Sequence, residues 1–118
     1  MLPKENRLKK KKDFEKVFKK GKAFFVEFLI LKIVKNDLRN PRFGFVVSQK
    51  VNKKAVVRNK VKRRLREIVR KKLPEIKTNV DGVFIAKKGI EKKDFIATEK
   101  TVDLLFRKAG LFNEKKHS

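Results

Sequence analysis

A chain of 118 residues has room for one domain, and 11 Phe within a hydrophobic share of 40% give that domain enough apolar surface for a core. Its 36 Lys and Arg against 13 Asp and Glu leave a formal net charge of +23, so the folded chain needs a polyanionic partner to relieve self-repulsion. The absence of Cys, a single His at position 117, and the lack of any run of about 18 apolar residues exclude disulfides, thiolate metal sites, Cys or His nucleophiles and a membrane-spanning helix.

Residues 1–12 are polar and basic and are expected to form a flexible arm. They lack the apolar core of a signal peptide, so the chain is expected to stay in the cytoplasm. Asp13 is placed to cap a short helix on which Phe14, Val17 and Phe18 recur at i, i+3 and i+4, and Gly21 to end it in a left-handed conformation. Phe24 to Val34 is almost unbroken apolar sequence, rich in β-branched and aromatic residues, and is expected to be one strand covered on both faces. Asn36, Asp37, Asn40 and Pro41 mark a turn, after which Phe43 to Ser48 alternates with strand period and is expected to pair with the first strand as a hairpin.

Lys50 to Lys54 is a basic loop. From Val56 to Leu73, Val57, Val61, Leu65, Ile68 and Val69 fall on one helical arc, and Pro74 stops the pattern. Val80 to Ala86 is a further strand, followed by a turn at Lys87, Lys88 and Gly89. Asp94 can cap a last helix with Phe95, Val102, Leu105, Phe106 and Ala109 on its apolar side and Gly110 past its end. The class is therefore α+β or a split α/β sandwich, with helices against a small sheet, in one domain over residues 1–118 that is expected to end in a flexible tail at 113–118.

Charge is most concentrated between Lys50 and Lys72, where 12 basic residues accompany a single acid, Glu67. On a 3.6-residue period Asn59, Lys62, Arg63, Arg66 and Arg70 share a sector of roughly 100° beside the apolar arc. Arg forks two N–H donors onto phosphate, Lys adds a compact charge, and Asn both donates and accepts. A merely solvated face interleaves both signs, and this one does not, which favours RNA contact. Arg58 lies close to the apolar arc, so part of its stem is free to pack.

Arg58-Asn59-Lys60-Val61-Lys62-Arg63-Arg64-Leu65-Arg66, preceded by Ala55-Val56-Val57, resembles the signature helix of the bacterial ribonuclease P protein component. Arg7-Leu8-Lys9-Lys10 and Asp13-Phe14 through Lys19 are similar to that family's N-terminal helix, Gly44 through Ser48 to its strand before the basic loop, Ile85-Ala86-Lys87 to its last strand, and Leu105-Phe106-Arg107-Lys108 to its closing helix. Lys60 departs from the usual Arg, and Leu31 and Phe112 stand where the family often has a cleft Tyr.

The resemblance implies a four-stranded sheet in the order α-β-β-β-α-β-α, with a left-handed βαβ crossover through the basic helix. It implies that a partner RNA is the catalyst, that this RNA holds the Mg2+ the holoenzyme needs, and that the chain binds both the catalytic RNA and the 5′ leader of precursor tRNA. Contacts to RNA then fall to Lys53, Lys54, Arg58, Asn59, Lys60, Lys62, Arg63, Arg66 and Arg70. A leader cleft falls to Phe14, Phe18, Ser48, Lys50 and Lys87, although spacing alone would make the two Phe core residues. No catalytic or metal-ligating side chain is expected, because Glu15, Asp37, Asp81, Glu91, Asp94, Glu99 and Asp103 are scattered. No protein partner and no membrane are required. The alternative is a structural RNA-binding protein, ribosomal or chaperone-like, with the same charge and no leader cleft.

Overall fold

The computed structural model describes residues 2–112; Met1 and the expected tail at 113–118, with His117, lie outside them. Helix α1 (Lys11–Lys20) leads into strands β1 (Lys22–Val26), β2 (Leu29–Lys35) and β3 (Arg42–Val46). Helix α2 (Ala55–Lys72), strand β4 (Val80–Ala86) and helix α3 (Phe95–Lys108) follow, which is the expected order. The sheet runs β1-β2-β4-β3, antiparallel except for the parallel pair β3 and β4, which α2 joins.

Burial explains why β4 sits inside the sheet although it comes last in the chain. Every residue of Val80–Ala86 except Ile85 is buried, and a strand apolar on both faces is stable only with neighbours on both edges and layers above and below. One face of the sheet carries Leu29, Leu31, Phe43 and Phe84 against Leu65, Ile68, Val102, Leu105 and Phe106 from α2 and α3. The rings of Phe43, Phe84 and Phe106 pack with centroids 5.6 to 6.0 Å apart. The other face carries α1 over a smaller cluster of Leu8, Val17 and Val83.

Several expectations change. Phe24 to Val34 is two strands, a hairpin whose turn occupies Glu27 and Phe28, with Glu27 at φ 45°. Such turns normally announce themselves by Gly or Asn, and neither is present, so the sequence conceals the break. The strand at Arg42–Val46 pairs with β4 and not with β1, because the crossover through α2 delivers a parallel neighbour to the edge left open by β4.

Residues 2–8 are seated and not a free arm. Leu2 and Leu8 are buried, the Leu8 amide donates to the Phe43 carbonyl at 3.0 Å, and the Asn6 amide group donates to the Pro41 carbonyl at 2.8 Å. Two leucines six residues apart supply the apolar anchor that the basic composition obscured. Helix α1 starts before Asp13, which instead lies 3.5 Å from Arg42. Gly21 has φ −73°, and its requirement is space, since a β-carbon there would collide with the Val17 carbonyl oxygen. Asp94 does cap α3, accepting from the Ala97 amide at 2.8 Å.

Candidate nucleic-acid interface

Helix α2 buries Val61, Leu65, Ile68 and Val69. The 3.6-residue period therefore turns Asn59, Lys62, Arg63, Arg66 and Arg70 to the side away from α3. Lys62, Arg63 and Arg66 join no ion pair among the described residues, so their charge is available. Arg70 pairs with Glu67, and that hydrogen bond pushes the Glu67 carboxyl down to about 2. Lys53, Lys54 and Lys60 are exposed at the loop and on the first turns of the helix.

Arg58 holds the loop together. Its Nη1 donates to the carbonyls of Asn52 at 3.0 Å and Lys53 at 2.8 Å, fixing the basic loop against the helix start. Arg64, which the sequence reading left unassigned, donates to the Lys93 carbonyl at 2.6 Å and ties the helix to the turn before α3. Arg66 meets Arg7 and Lys9 around a hollow of about 220 Å³ at the β3 edge, walled by Leu8, Phe14 and Phe45. Through that hollow the basic flank of α2 reaches the face that carries α1.

On the α1 face the strand registers bring Val46, Ile85 and Ile30 into one transverse row across β3, β4 and β2. Phe14 and Phe18 project from α1 beside this row, with centroids 6.5 Å apart and Phe18 40% exposed. Phe14 approaches the sheet closely because residue 44 is glycine: a β-carbon there would collide with the Phe14 ring. Ser48 and Lys87 follow Val46 and Ile85 by two residues, just beyond the ends of β3 and β4, and are exposed. The Ser48 hydroxyl accepts from the Lys50 amide at 3.2 Å, so Lys50 leaves the strand end through a tight turn.

The sequence reading missed Lys32. Its ammonium sits 5.8 Å from the Phe18 centroid and donates to the Phe18 carbonyl at 2.7 Å, tethering the end of α1 and placing a cation beside the exposed ring. Leu31, assigned by resemblance to the cleft, is fully buried on the opposite face, and Phe112 packs on Phe106 at 5.6 Å. One residue of register separates Leu31 from the cleft positions Ile30 and Lys32, which periodicity could reveal only once the hairpin turn was located.

Beneath α1, Arg42 grips Asp81 through two hydrogen bonds of 2.9 and 2.6 Å, and Asp81 also accepts from Asn36 at 2.8 Å. The hydrogen bond from Arg42 to Asp81 raises the guanidinium pKa further, against the opposing pull of burial. Asp13 and Asp81 are thus committed to one guanidinium that anchors α1. Among the described residues no three carboxylate, His or Cys side chains gather as a metal site. No helix among them is long and apolar enough to cross a membrane.

A cationic helix flank joined to an aromatic-walled groove on a small mixed sheet defines an RNA-binding α+β protein. The chain belongs to the ribonuclease P protein family: residues 2–110 match the family model described as Ribonuclease P. It is 42% identical over 112 residues to the ribonuclease P protein component of Syntrophomonas wolfei, covering 95% of this chain and 93% of that one. It is 40% identical over 111 residues to that of a Clostridium botulinum strain, covering 93% and 99%. The fold superposes on the Staphylococcus aureus RNase P protein with a TM-score of 0.84 at 28% identity, covering 92% of this chain and 98% of that chain. The Thermotoga maritima RNase P protein gives 0.77 at 35% identity, covering 86% and 96%. The molecule is accordingly the protein component of a ribonucleoprotein endoribonuclease that acts in tRNA processing.

Proposed function

We propose that the groove between α1 and the sheet holds the single-stranded 5′ leader of precursor tRNA, while the basic flank of α2 seats the chain on the catalytic RNA. The observation that carries this reading is the pairing of Phe14 and Phe18 along an apolar row, with Lys32 beside the exposed ring. Leader sequences vary, so a tolerant site relies on stacking, worth roughly 1 to 3 kcal/mol per base, and on cations that track the backbone. Ser48, Lys50 and Lys87 form the rim.

Lys53, Lys54, Asn59, Lys60, Lys62, Arg63, Arg66 and Arg70 contact the catalytic RNA, and Arg58 orients the loop that presents the first two. Each phosphate neutralised releases counterions, which makes this contact salt-dependent. Asp13 and Asp81 are held by Arg42, and in this reading the RNA partner holds the Mg2+ that supplies the cleavage chemistry. No side chain of this protein enters the reaction, no protein partner is required, and the complex works in the cytoplasm.

The test is reconstitution with ribonuclease P RNA. Phe18→Ala should weaken binding of leader-bearing precursor by about tenfold while leaving mature tRNA unchanged. Equal losses for both would replace this reading with that of a structural RNA-binding protein.

A further inference from the structure

The apolar row does not stop at Ile30. Phe25 of β1 is the register partner of Ile30, so alternation sets it on the α1 face, one strand beyond the residues that α1 covers. Its side chain is 60% exposed and joins neither buried cluster, whereas its neighbours Phe24 and Val26 pack against the core on the opposite face. With strands about 4.8 Å apart, the row Val46, Ile85, Ile30, Phe25 spans about 14 Å from one edge of the sheet to the other.

Cations flank this outer end. Lys32 lies on the same face, one row away on β2, and Lys108 reaches round the edge from α3 to place its ammonium 3.4 Å from the Phe25 carbonyl oxygen. An exposed aromatic side chain with one ammonium at its own backbone carbonyl and a second lysine in the next row of the same face suits a nucleotide in single-stranded RNA, a π-surface joined to phosphates. It is a poor match for an apolar protein partner, which would have to desolvate both charges.

We propose that Phe25 is an additional stacking residue that extends the leader groove to the β1 edge and takes one leader nucleotide beyond those held by Phe14 and Phe18. The proposal rests on the leader-groove reading above and lengthens the site by one base. The competing role for Phe25 is structural: a cross-strand contact with Ile30 that stabilises the hairpin.

The experiment measures affinity of the reconstituted holoenzyme for precursor tRNAs whose leaders are shortened one nucleotide at a time. The protein is used as wild type, Phe25→Ala, Phe25→Leu, Phe25→Trp and Phe18→Ala. Wild type should gain affinity with each nucleotide until the groove is full. Phe25→Ala and Phe25→Leu should lose only the last gain, about five- to tenfold, and Phe25→Trp should keep it. Leucine preserves the apolar contact with Ile30, so full retention of the last step by Phe25→Leu would assign Phe25 to the hairpin and overturn the proposal. Unchanged length profiles for all Phe25 variants, with Phe18→Ala still defective, would also overturn it and leave the shorter groove standing. If Phe18→Ala is equally silent, the groove reading itself fails.

Discussion

The Phe14 ring occupies the space that a side chain on residue 44 would need, so the closeness of α1 to β3 depends on Gly44. The helix that carries both Phe14 and Phe18 is thereby set at a fixed height above the sheet. Gly44→Ala should displace the ring and destabilise the fold by about 1 to 3 kcal/mol, the usual cost of overpacking. Chemical denaturation would measure that loss. Affinity for leader-bearing precursor should fall more than affinity for leaderless tRNA; an unaltered ratio would show that the height of α1 does not matter to binding.

Arg63 and Arg66 carry uncompensated charge on the α2 flank. Replacing either with Ala should reduce affinity for the catalytic RNA and lower the magnitude of the salt slope by up to about one unit per lost phosphate contact. Binding isotherms at several salt concentrations would detect the change. Slopes equal to wild type in both variants would place the RNA contact elsewhere.

The N-terminal segment is held by burial and not only by charge. Leu8→Ala should cost about 2 to 5 kcal/mol as a buried Leu-to-Ala change, despite the position of Leu8 in a lysine-rich stretch. Lys9→Ala, at an exposed site in the same segment, should stay within about 0.5 kcal/mol. Equal unfolding midpoints for the two variants would return the segment to the status of a free arm.

Glu67 offers a test in pH. Its carboxyl is lowered from 4.5 to about 2 by the hydrogen bond from Arg70. A group whose folded pKa is depressed adds stability above its ordinary pKa and loses that contribution as pH falls through the folded value. Melting temperatures of wild type and Glu67→Gln should therefore differ above pH 4.5 and converge as pH falls towards 2. The same variant should bind catalytic RNA more tightly near neutral pH, since it removes the one acid from the basic flank; weaker binding would mean that Glu67 orients Arg70 productively.

Much of this molecule is written locally. Helix α2 shows itself through Val61, Leu65, Ile68 and Val69 and through the stop at Pro74, and its cationic flank follows from the same periodicity. The cap at Asp94 was legible because capping needs only one side chain and a nearby amide. The break at Glu27 was not, because a positive φ on Glu carries no compositional mark, and without the turn the face that Leu31 and Lys32 each take stays undefined. The wheel sets the stem of Arg58 close to the apolar arc, but only the position of the Asn52 and Lys53 carbonyls reveals that its guanidinium braces the loop.

Sequence alone determined that this protein binds a polyanion and which helix presents the charge, because net charge and a 3.6-residue pattern are properties of composition and local geometry. Tertiary structure decided which of the sheet's side chains share a face. Val46, Ile85, Ile30 and Phe25 come from four strands scattered along the chain, and a shared row among them exists only through the register of hydrogen bonds that the β1-β2-β4-β3 order imposes. Such register is fixed by which faces must be buried across the whole sheet, and no single segment contains that information.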